Sequence, residues 1–123
     1  MSLVSKTKNI VSHFDFKFAK SLGQNFLIDN EVVSKIVESA GLDENSCALE
    51  IGPGIGVLTQ EMASKCKKVV AIEIDRRLIP ILDKTLEEFD NVEIIHADAM
   101  KVDFNEIFEE KGMDNIKVVA NLP

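Results

Sequence analysis

The sequence predicts an α/β fold built on a parallel sheet, and three observations lead there. Short apolar or β-branched runs recur at 47–51, 68–73, 92–96 and 116–120. Segments with helical apolar spacing separate them. The run Lys68-Val69-Val70-Ala71-Ile72-Glu73 is nearly continuous rather than alternating, as strands covered on both faces tend to be. Strands and helices alternating at this spacing form right-handed crossovers on one sheet.

Each element has its own signal. From Asn30 the pattern is helical: Asp29 or Asn30 can cap, Val32, Val33, Ile36 and Val37 form one face, and Gly41 ends the helix. Cys47 to Ile51 reads as a buried strand, followed by the turn Gly52-Pro53-Gly54-Ile55-Gly56 and a helix through Leu58, Met62 and Ala63. After the strand 68–73, residues 76–89 read as a helix with Pro80 in or near its first turn, where proline is tolerated. Val92 to His96 is a third strand, 103–110 a short helix, and Ile116 to Ala120 a fourth strand. Residues 1–15 read as a flexible arm, and 16–123 as part of one ligand-binding domain. Phe14, Phe16 and Phe18 alternate within that entry region like an extended segment packed on the body, beside Lys17 and Lys20, which suit phosphate contacts.

A chain of 123 residues with 46% hydrophobic and 28% charged residues is an ordinary single-domain composition. No apolar run approaches the roughly 18 residues of a membrane span, and no apolar signal core follows Met1, so a cytoplasmic location is expected, with no membrane partner. Cys47 and Cys66 form neither a CxxC nor a zinc pattern, and no metal site is expected. The net charge is −7, unevenly spread. Residues 1–28 carry four lysines against Asp15, or +3, and the remainder ten basic against twenty acidic residues, or −10. An acidic body argues against a broad nucleic-acid face within these residues.

Ligands of parallel sheets bind at the carboxyl ends of the strands. Here those ends carry Gly52 to Gly56, Glu73 to Asp75, Asp98 and Asn121. Gly52 and Gly54 allow positive φ and close backbone approach by a ligand, although such a run is also found in a plain tight turn. The spacing is GxGxG, not the dinucleotide GxGxxG, since position 57 is Val. Glu50 beside the turn repels a pyrophosphate and favours a cation, which suits the sulfonium and ammonium of S-adenosylmethionine and disfavours NAD. Glu73, twenty-one residues after Gly52, suits the two ribose hydroxyls; otherwise it is a surface carboxylate. Asp98 suits an adenine amino group, with Met100 as apolar cover, or else caps a helix. Asn121-Leu122-Pro123 suits a methyl-acceptor site. The Asn121 side-chain oxygen and Leu122 carbonyl can accept from an exocyclic amine and aim its lone pair, so that proximity does most of the work. A following aromatic would stack on a flipped base.

Ser21-Leu22-Gly23-Gln24-Asn25-Phe26-Leu27, Leu49-Glu50-Ile51-Gly52-Pro53-Gly54-Ile55-Gly56-Val57-Leu58-Thr59 and Ala120-Asn121-Leu122-Pro123 together resemble the ribosomal RNA adenine dimethyltransferases of the KsgA/RsmA type. The resemblance implies the Rossmann-like fold of class I SAM-dependent methyltransferases, of which this chain carries the first four strands. It implies S-adenosyl-L-methionine as cofactor and N6-dimethylation of two adjacent adenosines near the 3′ end of small-subunit (16S) rRNA, linked to ribosome biogenesis. The partner so implied is the immature 30S subunit. It adds Asn25 and Leu27 to the cofactor set of Gly52, Gly54, Glu73, Asp98, Met100 and Asn121, with Asn121, Leu122 and Pro123 as the catalytic motif. Pro53 and Ala120 fit this branch better than the antibiotic-resistance 23S rRNA methyltransferases, which stand as an alternative beside a non-catalytic ribosome-assembly module. The family's later strands and C-terminal helical domain lie beyond Pro123, so this chain is expected to bind cofactor but to be catalytically incomplete. Its fourth strand is expected to leave an open edge at 116–123 that favours dimerisation or aggregation.

Overall fold

The structure, a computed structural model, describes residues 30–120. Its elements are α1 (Asn30–Ser39), β1 (Cys47–Ile51), α2 (Val57–Ala63), β2 (Lys68–Glu73), a 3₁₀ turn (Arg76–Leu78), α3 (Ile79–Thr85), β3 (Val92–His96), α4 (Phe104–Glu110) and β4 (Ile116–Ala120). The sheet order is β3-β2-β1-β4, and every pairing is parallel. Chain reversal of the order around β1 leaves the two central strands covered on both faces, which is why 47–51 and 68–73 carry so few polar residues.

Alternation along the strands splits the core in two. Ala48 and Val69 point toward α1, α2 and α3, where they meet Val33, Val37, Leu58, Met62, Ile81 and Leu82. Cys47, Leu49, Val70 and Ile72 point the other way, onto Ile107 and Met113, with Phe104 and Phe108 packed alongside. Both cysteines are free and buried.

Local chemistry fixes the ends. Asp103 caps α4, its side chain accepting from the backbone N–H of Asn105 and Glu106. Gly41, at φ 68, closes the exit of α1. The Asn91 amide donates to the carbonyls of Ala63 and Cys66, which tie off the end of α2. Gly56 does more than turn the chain. Its φ is 92, and a Cβ there would lie 2.8 Å from Thr85 Oγ1 and 3.3 Å from Leu82 Cδ2. Close packing of α2 on α3 therefore needs glycine at this position.

Two expectations need correction. The helix expected over 76–89 is a 3₁₀ turn followed by α3, which ends at Thr85. Asp75 starts the 3₁₀ turn by accepting from the Arg77 N–H, and Pro80 sits at the opening of α3 where no donor is missed. Val32 does not share the buried face of α1: it is 41% exposed, while Val33 and Val37 are buried. It lies instead at the rim beside β4, in a shallow groove with Ile36, Val118 and Val119. The arm at 1–15 and the alternating Phe14–Phe18 segment fall outside the described residues.

Candidate functional site

The carboxyl ends of β1, β2 and β3 open into one pocket of about 570 Å³. Gly52, Glu73, Asp98 and Met100 line it, joined by Ile51, Ile72, Ile74, Ala97 and Phe104. Four residues singled out from the sequence thus share a single cavity, although they are spread over nearly fifty positions of chain. Asn25, Leu27, Asn121, Leu122 and Pro123 lie outside the described residues.

The glycine turn is pinned to the sheet. Gly52 N–H donates to the Ile72 carbonyl at 3.0 Å, and Gly56 N–H to the Pro53 carbonyl at 3.0 Å. Gly52 and Gly54 have φ of 73 and 61, left-handed values that a side chain would strain.

Glu73 is buried at the end of β2, and its Oε2 accepts from the Asp75 N–H at 2.9 Å. Burial raises its carboxyl above the ordinary value; the backbone N–H groups of Asp75, Gly54 and Ile74 pull it back, and the Asp75 charge raises it again. Asp75 faces away into a bidentate pair with Arg77, at 2.8 and 3.0 Å, and its carboxyl is lowered chiefly by that pairing. This makes Glu73, not Asp75, the carboxylate of the pocket.

Asp98 is held by a tight local turn. Its Oδ1 accepts from the Met100 N–H at 2.9 Å, and its carbonyl from the Lys101 N–H. No helix starts here, since Asp103 caps α4, so Asp98 closes a turn and not a helix end, and its carboxylate keeps further lone pairs to offer the pocket. Met100 is 92% exposed and forms the lip of the pocket rather than its floor. His96 is bound into the framework, its Nε2 lying 3.1 Å from the Ile74 carbonyl.

Glu50 differs from its expected place. It does not stand open beside the turn: it is fully buried beneath it, on the α2 side of β1. Thr59 Oγ1 donates to Oε1, while Oε2 has no hydrogen-bond partner among the described residues. Burial pushes its carboxyl up to about 7; the Thr59 hydroxyl lowers it and the neighbouring Glu73 charge raises it.

Sequence reasoning missed Ile74 and Thr59. Ile74 is 63% exposed at the pocket wall, next to a strand-ending carboxylate. An isoleucine placed just past a buried strand, with no core to enter, was the available signal. Thr59 had none, because its partner is fixed only by the packing of α2 on β1. Among the described residues no cluster of three metal-ligating side chains exists, and no helix is long and apolar enough to cross a membrane.

The donor set is chemically narrow. Carboxylate acceptors and an apolar slot suit a nucleoside with hydroxyl and amino donors. They do not suit a pyrophosphate.

Comparison with known proteins agrees with this geometry. The profile of the family described as Ribosomal RNA adenine dimethylase matches residues 15–123. The chain is 54% identical over 120 residues to Ribosomal RNA small subunit methyltransferase A of Alkaliphilus metalliredigens, covering 97% of this chain and 42% of that protein. Among solved structures it is similar to a dimethyladenosine transferase from Plasmodium falciparum, with TM-score 0.64, 32% identity, and coverage of 77% of this chain and 32% of that one. It is also similar to the 23S rRNA methyltransferase ErmE, with TM-score 0.60, 37% identity, and coverage of 63% and 32% respectively. The chain spans a little over two fifths of the length of the curated relatives it matches, 43% and 42% in two Alkaliphilus proteins.

Proposed function

From the premise that the chain belongs to the ribosomal RNA adenine dimethylase family, we propose that it forms the S-adenosyl-L-methionine half-site of a small-subunit rRNA adenine N6,N6-dimethyltransferase. The observation that carries this reading is the convergence of Gly52, Glu73 and Asp98 on one pocket at the carboxyl edge of a parallel sheet. Glu73 accepts from both ribose hydroxyls, and Asp98 accepts from the adenine amino group. Ile51, Ile74 and Phe104 give the ring an apolar slot with Met100 at its lip. The Gly52–Gly54 turn admits the amino-acid portion, and Glu50 lies buried beneath that turn, out of direct contact with the pocket. Asn25 and Leu27 complete the cofactor set as the family pattern implies.

When bound, the cofactor supplies an electrophilic methyl group. The chain's own part would be to orient the acceptor: the Asn121 side-chain oxygen and the Leu122 carbonyl of the Asn121-Leu122-Pro123 motif would accept from the exocyclic amine and aim its nitrogen lone pair at that methyl group. The amine proton becomes acidic as the nitrogen gains positive charge, so no strong general base is needed. The substrate is two adjacent adenosines near the 3′ end of 16S rRNA within the immature 30S subunit, in the cytoplasm. The family resemblance to the small-subunit branch favours this over 23S rRNA.

Calorimetric titration with S-adenosyl-L-methionine, with NAD as control, tests the half-site. We expect micromolar binding of the former and none of the latter, and a loss of roughly tenfold or more for Glu73→Ala, which removes charge-assisted hydrogen bonds. NAD binding, or unaltered affinity in Glu73→Ala, would overturn it.

A further inference from the structure

We propose that His96 is a positioning residue of this site, clamping the segment that follows β2 so that Glu73 and Ile74 face the pocket. The proposal rests on the reading of that pocket as the cofactor site, and its test is arranged to separate the two.

The β2–β3 ladder ends in a fixed sequence of bonds. Glu73 lies opposite His96 in the register, and the Glu73 carbonyl accepts from the Ala97 N–H at 3.1 Å. The next carbonyl, that of Ile74, has left the strand, and the His96 ring meets it at 3.1 Å. A carbonyl can only accept, so Nε2 must carry the hydrogen. One residue further, the Asp75 N–H turns back to Glu73 Oε2 at 2.9 Å. Residues 73–75 are thus bound at three successive points, and the middle one is the imidazole.

That middle point matters because of what it holds out. Ile74 is 63% exposed, yet it lines the pocket. An exposed isoleucine gains nothing from the core by standing there, and without a tie on its carbonyl the Ile74–Asp75 peptide is held only through the Asp75 N–H bond to Glu73 Oε2. Rotation would carry away both the Ile74 wall and the Asp75 N–H that orients the Glu73 carboxylate. The Asp75 side chain is engaged with Arg77, so the ring across β3 is the second tie on this peptide, beside the Asp75 N–H bond to Glu73.

The test compares the 123-residue chain with His96→Leu, which fills similar space without a donor, and His96→Gln, whose amide can donate to the same carbonyl. Two readouts are needed: the NMR carbonyl shift of Ile74 with the Glu73 carboxyl titration in the ligand-free chain, and S-adenosyl-L-methionine affinity by calorimetry. We expect His96→Leu to move both Ile74 and Glu73 signals and to weaken binding about fivefold, the effect of one net hydrogen bond. His96→Gln should restore both to within about twofold of the parent. An unchanged Ile74 shift in His96→Leu overturns the clamp whatever the affinity does. Equal losses in Leu and Gln variants, tracking a common fall in Tm, also overturn it, since that is a structural role alone. If the parent chain binds no S-adenosyl-L-methionine, the cofactor reading fails, and the ligand-free signals still decide whether His96 holds the segment.

Discussion

Two side chains at the turn carry opposite costs. Glu50 stores electrostatic strain: a fully buried carboxyl with one oxygen bonded to Thr59 and the other without a partner among the described residues. Its folded value of about 7 lies above the ordinary 4.5. The folded chain therefore binds more protons than the unfolded chain between those values, and stability falls as pH rises through that window. Glu50→Gln should raise stability at pH 8 by on the order of 3 kcal/mol, with the gain shrinking toward zero near pH 4.5, as read by calorimetric Tm. A variant no more stable than the parent at pH 8 would show that the carboxylate is already compensated. Gly56 carries a steric constraint instead. Its φ of 92 and the 2.8 Å approach to Thr85 Oγ1 leave no room for a methyl group. Gly56→Ala should cost about 3 kcal/mol in urea unfolding, and pairing it with Thr85→Ser should recover little, because the hydroxyl remains and the φ strain persists.

Single elements were specified to different degrees. The strands at 47–51, 68–73, 92–96 and 116–120 match their expected bounds; the two central ones are buried and nearly continuously apolar, and the two edge strands, only partly buried, are marked by their β-branched residues. Helix α4 was equally legible, because Asp103 supplies its own cap three residues before Glu106. Asp103→Ala should lower stability by about 1 kcal/mol; hydrogen exchange at Asn105 and Glu106 should accelerate, whereas unchanged exchange would mean that packing of Phe104 and Phe108 alone holds the first turn. The segment 76–89 was less legible. Its apolar spacing is helical throughout, but Asp75 starts a tighter turn by accepting from Arg77 N–H, and the helical ladder begins only at Ile79. Val32 failed for a related reason: periodicity gives a face but not its width, and α1 buries only the Val33–Val37 stripe.

Across the whole molecule, β4 pairs with β1 on one side, and among the described residues nothing pairs its other side. Val118 on that strand is 55% exposed beside the apolar groove formed with α1. Such an edge recruits further strands, so the 123-residue chain should self-associate through 116–123 with a concentration-dependent mass by light scattering. Val118→Lys should suppress this without loss of Tm. A monodisperse monomer at high concentration would contradict the expectation.

The sequence alone determined the α/β class, the strand positions, the family, and a short set of polar residues that topology must send to one edge. It could do so because strand burial, turn glycines and strand-end carboxylates are local features, readable within a few residues. Tertiary structure decided the rest. It buried Glu50 under the turn, gave Gly56 to helix packing, and brought Ile74 and His96 into the site. Each of those outcomes depends on partners nine to twenty-nine positions away in sequence. Burial and hydrogen-bond partners of that kind exist only once the sheet and its helices have packed.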